Sequence, residues 1–213
     1  MRKKERVAEV LARLDDAYGT SLKAHLHYQN AFQLLIATIL SAQCTDARVN
    51  MVTPALFQKY PDAAAFAGAS LKDVEEQIRS TGFYHNKAKN IIACCQKLVR
   101  EHGGRVPEEI DKLTALPGVG RKTANVVRGN IYGEPSVVVD THVGRISRRL
   151  GFTKQTDPEK VEYDLMRLLP RENWIRYNIQ IITFGREICK ARGEACDRCF
   201  LSDLCPSRKK RSK

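Results

Sequence analysis

Four cysteines, Cys189, Cys196, Cys199 and Cys205, fall within one short segment in the pattern C-x6-C-x2-C-x5-C. A loop this compact can gather all four thiolates around one centre, and the donor set suits a tetrahedral zinc ion or an iron–sulfur cubane. A second signal lies well upstream, where Leu116-Pro117-Gly118-Val119-Gly120-Arg121-Lys122-Thr123-Ala124 joins two helical stretches. Its glycines permit a tight hairpin and close approach of backbone to a ligand. The helix that follows offers N–H groups and the positive end of its dipole to a phosphate, without reading base sequence. An ordinary glycine cap between packed helices has the same local signature. A nucleotide P-loop does not fit, because it needs Gly directly before Lys, where Arg121 stands, and Leu116 takes the place of its first glycine. Val139-Asp140-Thr141-His142 comes a short distance later, with Asp140 well suited to cap a helix.

The elements that position these residues read as helices. Val7, Val10, Leu11 and Leu14 recur at helical spacing, and Gly19 stops the run. Residues 31–40 are apolar on most faces, as for a helix inside a bundle. Residues 47–60 come next, with Asp46 the candidate cap, and Ser70-Leu71-Lys72-Asp73 has the form of a capping box. Residues 87–102 form an amphipathic stretch closed by Gly103-Gly104. Residues 108–116 and 121–131 flank the Pro-Gly-Val-Gly turn, and 141–150, 158–169 and 173–190 complete the set. Val137-Val138-Val139 has no strand partner of comparable strength and reads as an extended connection, so the fold class is all-α. The tail from Ser207 to Lys213 carries five basic residues and reads as disordered.

The totals agree with an anionic partner. The 213 residues suffice for one domain or two small ones, and Lys plus Arg outnumber Asp plus Glu by 36 to 24, a net charge of +12. Clustered positive charge is rewarded by phosphate contact and counterion release. No apolar run reaches membrane-spanning length, and the N-terminus leads into an amphipathic helix rather than a signal core, so a cytoplasmic protein is expected. Seven cysteines, an odd number, argue against a disulfide framework and for metal ligation, with Cys44, Cys94 and Cys95 as small core hydrophobes.

Together, LPGVGRKTA, VDTHV and the cysteine loop resemble the endonuclease III family of DNA glycosylases, the iron–sulfur branch of the helix-hairpin-helix superfamily. Ser41-Ala42-Gln43-Cys44-Thr45-Asp46 and Gly82-Phe83-Tyr84 also resemble family segments, so the likeness covers nearly the whole chain. It implies a bifunctional glycosylase and abasic-site lyase of base excision repair, acting as a monomer on double-stranded DNA with oxidised pyrimidines. Lys122 matches the catalytic lysine, an amine that attacks the sugar and leaves a Schiff base. Such an amine must lose its proton through burial or adjacent positive charge; a phosphate-binding surface lysine is the ordinary alternative. Asp140 matches the catalytic carboxylate, and the capping role is compatible with it.

The resemblance further places Gln43 and Phe83 as the pair that fills the gap left by a flipped nucleotide. For Phe83 a core aromatic is the competing reading. Gly118, Val119, Gly120 and Arg121 become the phosphate-binding hairpin, and Tyr84, His85, Asn86 and Lys87 either contact backbone or form solvated surface. The four cysteines become ligands of a [4Fe-4S] cluster, with Arg192 and Arg198 shaping a basic surface beside it. The implied architecture is two helical domains with the active-site cleft between them: residues 24–134 as a six-helix barrel, and 1–23 with 135–213 as the cluster domain. An adenine-mismatch glycosylase is disfavoured by Lys122 and by the lack of an acidic residue from Leu34 to Gln43. A non-catalytic DNA-binding module has no need of Lys122 and Asp140 together.

Overall fold

The computed structural model describes residues 2–20, 25–193 and 195–208, which are helical with no β-strand among them. The helices are α1 (Lys3–Tyr18), α2 (Ala31–Leu40), α3 (Asp46–Lys59), α4 (Ala63–Ala67), α5 (Leu71–Ile78), α6 (Tyr84–His102), α7 (Ile110–Thr114), α8 (Arg121–Ile131), α9 (Thr141–Arg149), α10 (Pro158–Leu168) and α11 (Trp174–Glu187). No described helix is long and apolar enough to cross a membrane. The chain divides into two compact units, Ala24–Glu134 and Met1–Lys23 with Pro135–Lys213.

The unit Ala24–Glu134 is built around α2, whose eight residues from Phe32 and Leu34 to Leu40 are buried almost regardless of which face they lie on. That is the behaviour of a helix wrapped by others, and its largely apolar composition requires it. Val49, Leu56, Phe66, Val74, Ile78, Ile91, Leu98 and Val127 pack around it at or near zero exposure. Cys94 and Cys95 are fully buried among them, and burial pushes the Cys94 thiol up to about 12.

In the other unit α1 is fastened to residues far along the chain. Gln180 Nε2 donates to Asp15 Oδ1 at 2.8 Å and to the Gly19 carbonyl at 2.9 Å. Arg13 Nη1 lies 2.7 Å from Asp203 Oδ1. Val10, Leu14, Val143, Ile146, Phe152, Tyr177 and Phe184 form the core beneath.

Several local expectations change. Thr45, not Asp46, caps α3, its hydroxyl accepting from Arg48 N at 3.3 Å, because Asp46 already has helical placement. Ser70 precedes α5 but its side chain accepts no cap hydrogen bond, so the apparent capping box does not form. The helix expected from residue 87 starts three residues earlier, at Tyr84, with Phe83 at its N-cap. Helix α4 begins after a cap that the sequence does carry, since Asp62 accepts from Ala65 N at 2.8 Å. The extended stretch Ser136–Val139 is largely buried and pairs in no ladder; Asn178 Nδ2 holds the Ser136 carbonyl at 3.1 Å. Residues 209–213 of the basic tail lie outside the described residues.

Candidate active site

The hairpin is assembled from its two buried residues outward. Leu116 and Val119 anchor it in the core at 2% and 5% exposure, and Val119 N donates to the Leu116 carbonyl at 3.1 Å. Between them Gly118 adopts φ +75, and a Cβ there would stand 2.9 Å from Asn90 Cβ on α6. Glycine is therefore required twice, by backbone conformation and by contact. Gly120 is different. Its φ is −88 and a Cβ would meet no protein atom within 4 Å, so nothing inside the chain demands glycine there. Gly118→Ala is expected to lower stability by about 1–3 kcal/mol, whereas Gly120→Ala lowers it by less than about 1 kcal/mol. Thermal unfolding of the two variants side by side checks this.

Helix α8 starts immediately after Gly120 with no side-chain cap. Arg121 and Lys122 are its first two residues, Arg121 half-buried and Lys122 exposed. Burial within the protein is thus not available to dehydrate the Lys122 amine. Asp140 caps α9, with Oδ1 accepting from Val143 N at 2.8 Å and the side chain half-buried. The extended segment before it contains the buried pair Val137 and Val138, so the carboxylate has a fixed backbone on one side and a helix on the other. His142 packs against α11 at Gly185, where a Cβ would come within 2.5 Å of its Nδ1. Its surroundings are packing and polar contact, with Arg145 Nη2 at 3.3 Å from Nδ1.

Gln43 and Phe83 share two properties. Both are exposed, Phe83 at 62%, and among the described residues they are the only non-glycine positions with positive φ, +53 and +50. Left-handed backbone at a non-glycine residue stores strain and clusters at functional sites. The core reading of Phe83 is excluded by its exposure; Tyr84 is the aromatic that turns inward. His85 is exposed and pairs with Glu75 at 2.8 Å. Lys87 fits neither of its expected roles. It is 5% exposed, and its Nζ donates to the Leu40 carbonyl at 2.7 Å and the Thr81 carbonyl at 2.8 Å.

Cys189, Cys196, Cys199 and Cys205 all line one cavity walled by Ile146, Leu150, Phe184, Ile188 and Leu201. Burial pushes the Cys199 and Cys205 thiols up, and charge on Cys189 and Cys196 adds to the effect at both. Among the described residues no three potential ligands converge tightly enough to hold a single metal ion. Two arginines of α9, to which the cysteine spacing does not point, hold the cysteine segment in place. Arg145 Nη2 donates to the Cys189 carbonyl at 2.9 Å, and Arg149 Nη1 to the Lys190 carbonyl at 2.8 Å and toward Cys189 Sγ at 3.2 Å. The signal for them in the sequence is the Arg145, Arg148, Arg149 run at one-turn spacing on α9. Arg192 and Arg198 are exposed.

Residues 36–171 match the family model described as HhH-GPD superfamily base excision DNA repair protein, and the chain belongs to that family. Within it, the chain is 53% identical over 206 residues to the endonuclease III of Synechocystis sp., covering 96% of this chain and 94% of the relative. Among solved structures, a non-covalent endonuclease III–DNA complex superposes with TM-score 0.91 at 43% identity, covering 97% of both chains. A trapped endonuclease III–DNA covalent intermediate superposes equally well, with the same identity and coverage.

Proposed function

We infer that this chain is a bifunctional DNA glycosylase and abasic-site lyase of base excision repair. It removes oxidised pyrimidines from double-stranded DNA through a lysine Schiff base and nicks 3′ to the resulting abasic site. The observation that carries the reading is the full-length likeness to an endonuclease III trapped covalently on DNA. Lys122 supplies the amine, exposed at the start of α8 beside the glycine hairpin.

In the proposed sequence of steps the neutral Lys122 amine attacks C1′ of the flipped nucleotide. The C1′–N glycosidic bond breaks and the base leaves with a proton. The C1′–O4′ bond then opens with O4′ taking a proton, leaving a protonated imine between Nζ and C1′ that makes the C2′ hydrogen acidic. Its removal expels the 3′ phosphate by breaking the C3′–O bond, and water then releases the lysine. Asp140 stabilises the positive charge that develops on the sugar and assists proton transfer. Its capping bond to Val143 N uses Oδ1 and fixes the rotamer. Lys122 is exposed in the protein alone, where a flipped nucleotide can reach its amine.

Gly118 to Arg121 bind a backbone phosphate at the N-terminus of α8. Gly120, which no protein contact requires, is the position where a phosphate approaches the main chain most closely. Gln43 and Phe83 enter the duplex, Gln43 facing the orphaned partner base and Phe83 wedging between neighbours.

The four cysteines fit a [4Fe-4S] cluster. All four line one cavity, and four cysteine thiolates are the donor set that such a cluster takes. Cys189, Cys196, Cys199 and Cys205 would hold such a cluster, which would tie four separated chain positions together.

Asp140 offers a separation of charge from capping. Asn caps a helix as well as Asp does, so Asp140→Asn should leave the unfolding midpoint almost unchanged and slow base removal about a hundredfold. Asp140→Ala should lose both, with about 1 kcal/mol of stability. Single-turnover glycosylase rates beside thermal unfolding make the comparison.

The test of the whole reading is borohydride trapping on matched duplexes carrying thymine glycol, 8-oxoguanine, a G·T mismatch or no lesion. Borohydride reduces the imine to a stable crosslink. A crosslink on thymine glycol is the expected result. Trapping confined to the mismatch would keep the mechanism and replace the substrate, and no crosslink with the cluster intact would overturn the lysine mechanism.

A further inference from the structure

Lys87 is a cation buried in the core of Ala24–Glu134, at 5% exposure, and the partners of its ammonium are two backbone carbonyls. Burying a charge is expensive unless its donors are satisfied, and an apolar side chain of the same length would fill the space at no such expense. The two carbonyls explain the choice. Leu40 is the last residue of α2, and Thr81 ends the single 3-10 turn Arg79–Thr81. Carbonyls at such ends have no partner within their own element, and the C-terminal end of a helix dipole favours a cation. Lys87 occupies both with one group, across a separation of 47 residues in the first case.

Each carbonyl stands at the root of a loop that carries one of the two strained residues. Three residues after Leu40 comes Gln43, and two after Thr81 comes Phe83, the two exposed residues held in left-handed backbone. Lys87 also reaches the second loop through its main chain, its N–H donating to the Phe83 carbonyl at 3.1 Å. One residue therefore fastens both loops to the same spot on α6.

We propose that Lys87 is a positioning residue that fixes the loops of Gln43 and Phe83 relative to each other, so that both side chains enter the DNA stack as a unit. The inference rests on the wedge role proposed for those two residues. A pair acting on opposite strands opens a duplex only if the distance between its members is set before contact. Otherwise each insertion must meet the ordering demand alone, and misplacement of about 1 Å at a remote support is enough to slow chemistry by up to a hundredfold.

The experiment compares two substrates that differ only in the work of opening. Single-turnover base removal is measured on thymine glycol in a fully paired duplex and on the same lesion inside an unpaired bubble. Lys87→Met, of similar volume and without donors, is expected to slow the paired substrate by about ten- to a hundredfold and the bubble by less than about threefold. Equal slowing on both substrates would make Lys87 a general structural residue and overturn the proposal, as would an unchanged rate on the duplex. If Lys87→Met yields no folded protein, Lys87→Gln, whose shorter amide cannot serve both carbonyls, must show the same selective loss. Gln43→Ala and Phe83→Ala run in parallel. If neither slows the paired substrate, the wedge reading itself fails; if they do and the Lys87 variants do not, only the clamp fails.

Discussion

Lys122→Gln is expected to abolish the borohydride crosslink on thymine-glycol duplex and to reduce strand cleavage at least about a thousandfold, while duplex binding stays within a few fold. The size of the loss reflects the kind of role proposed. A nucleophile forms the bond on which every later step depends, so its removal is not compensated by neighbours that merely stabilise charge. Glutamine keeps most of the aliphatic stem and a hydrogen-bond donor, and the side chain is exposed, so the fold has no reason to change. In the proposed reading binding belongs to the backbone of the hairpin, which the substitution leaves unchanged. Gel-shift and trapping assays on one protein preparation read the two properties apart. Retained cleavage would remove Lys122 from the mechanism, and an equal loss of binding would return it to the ordinary phosphate-binding role of surface lysines.

Replacing Cys199 with Ser should cost the protein its brown colour and lower the unfolding midpoint of the holoprotein by about 10 °C or more. Cys199 lines the shared cavity and packs with Cys189 and Cys205 against the core of its unit. The cavity wall is not a surface loop. Arg145 and Arg149 reach from α9 to Cys189 and Lys190, and Leu201 and Leu204 are buried in the same cysteine segment. Ligand energy released on binding is folding energy for a segment with so little regular structure of its own. DNA binding should weaken with it. Cys44→Ser is the control, since Cys44 stands outside the cavity and should alter neither absorbance nor midpoint. A Cys199→Ser protein with unchanged absorbance and midpoint would exclude the cluster ligation proposed here.

The helices were largely legible from the sequence because amphipathic period and caps are local. Residues 31–40 read as a helix from their apolar run and 121–131 from their place after the glycine turn, and α2 and α8 occupy those ranges. Where the local signal was ambiguous, neighbours decided. Thr45 and Asp46 are both good caps, and the backbone direction chose Thr45. Ser70 has the right sequence for a capping box but not the side-chain geometry. Phe83 is an aromatic that composition would bury, yet the left-handed N-cap of α6 turns it outward and Tyr84 inward.

By itself the sequence determined which chemistry is available: an amine behind a glycine hairpin, a carboxylate at a helix start and four thiols in one segment. Each is a pattern of near neighbours, and backbone sterics and helix period convert such patterns into geometry without help from the rest of the chain. The tertiary structure alone decided how those groups are supported. That Lys87 is buried beneath two loops, that Arg145 and Arg149 hold the cysteine segment, and that Gly118 must be glycine because Asn90 lies against it depend on residues dozens of positions apart. No local period encodes a contact of that separation, because it is fixed only when the core closes and every buried polar group has to find its partner.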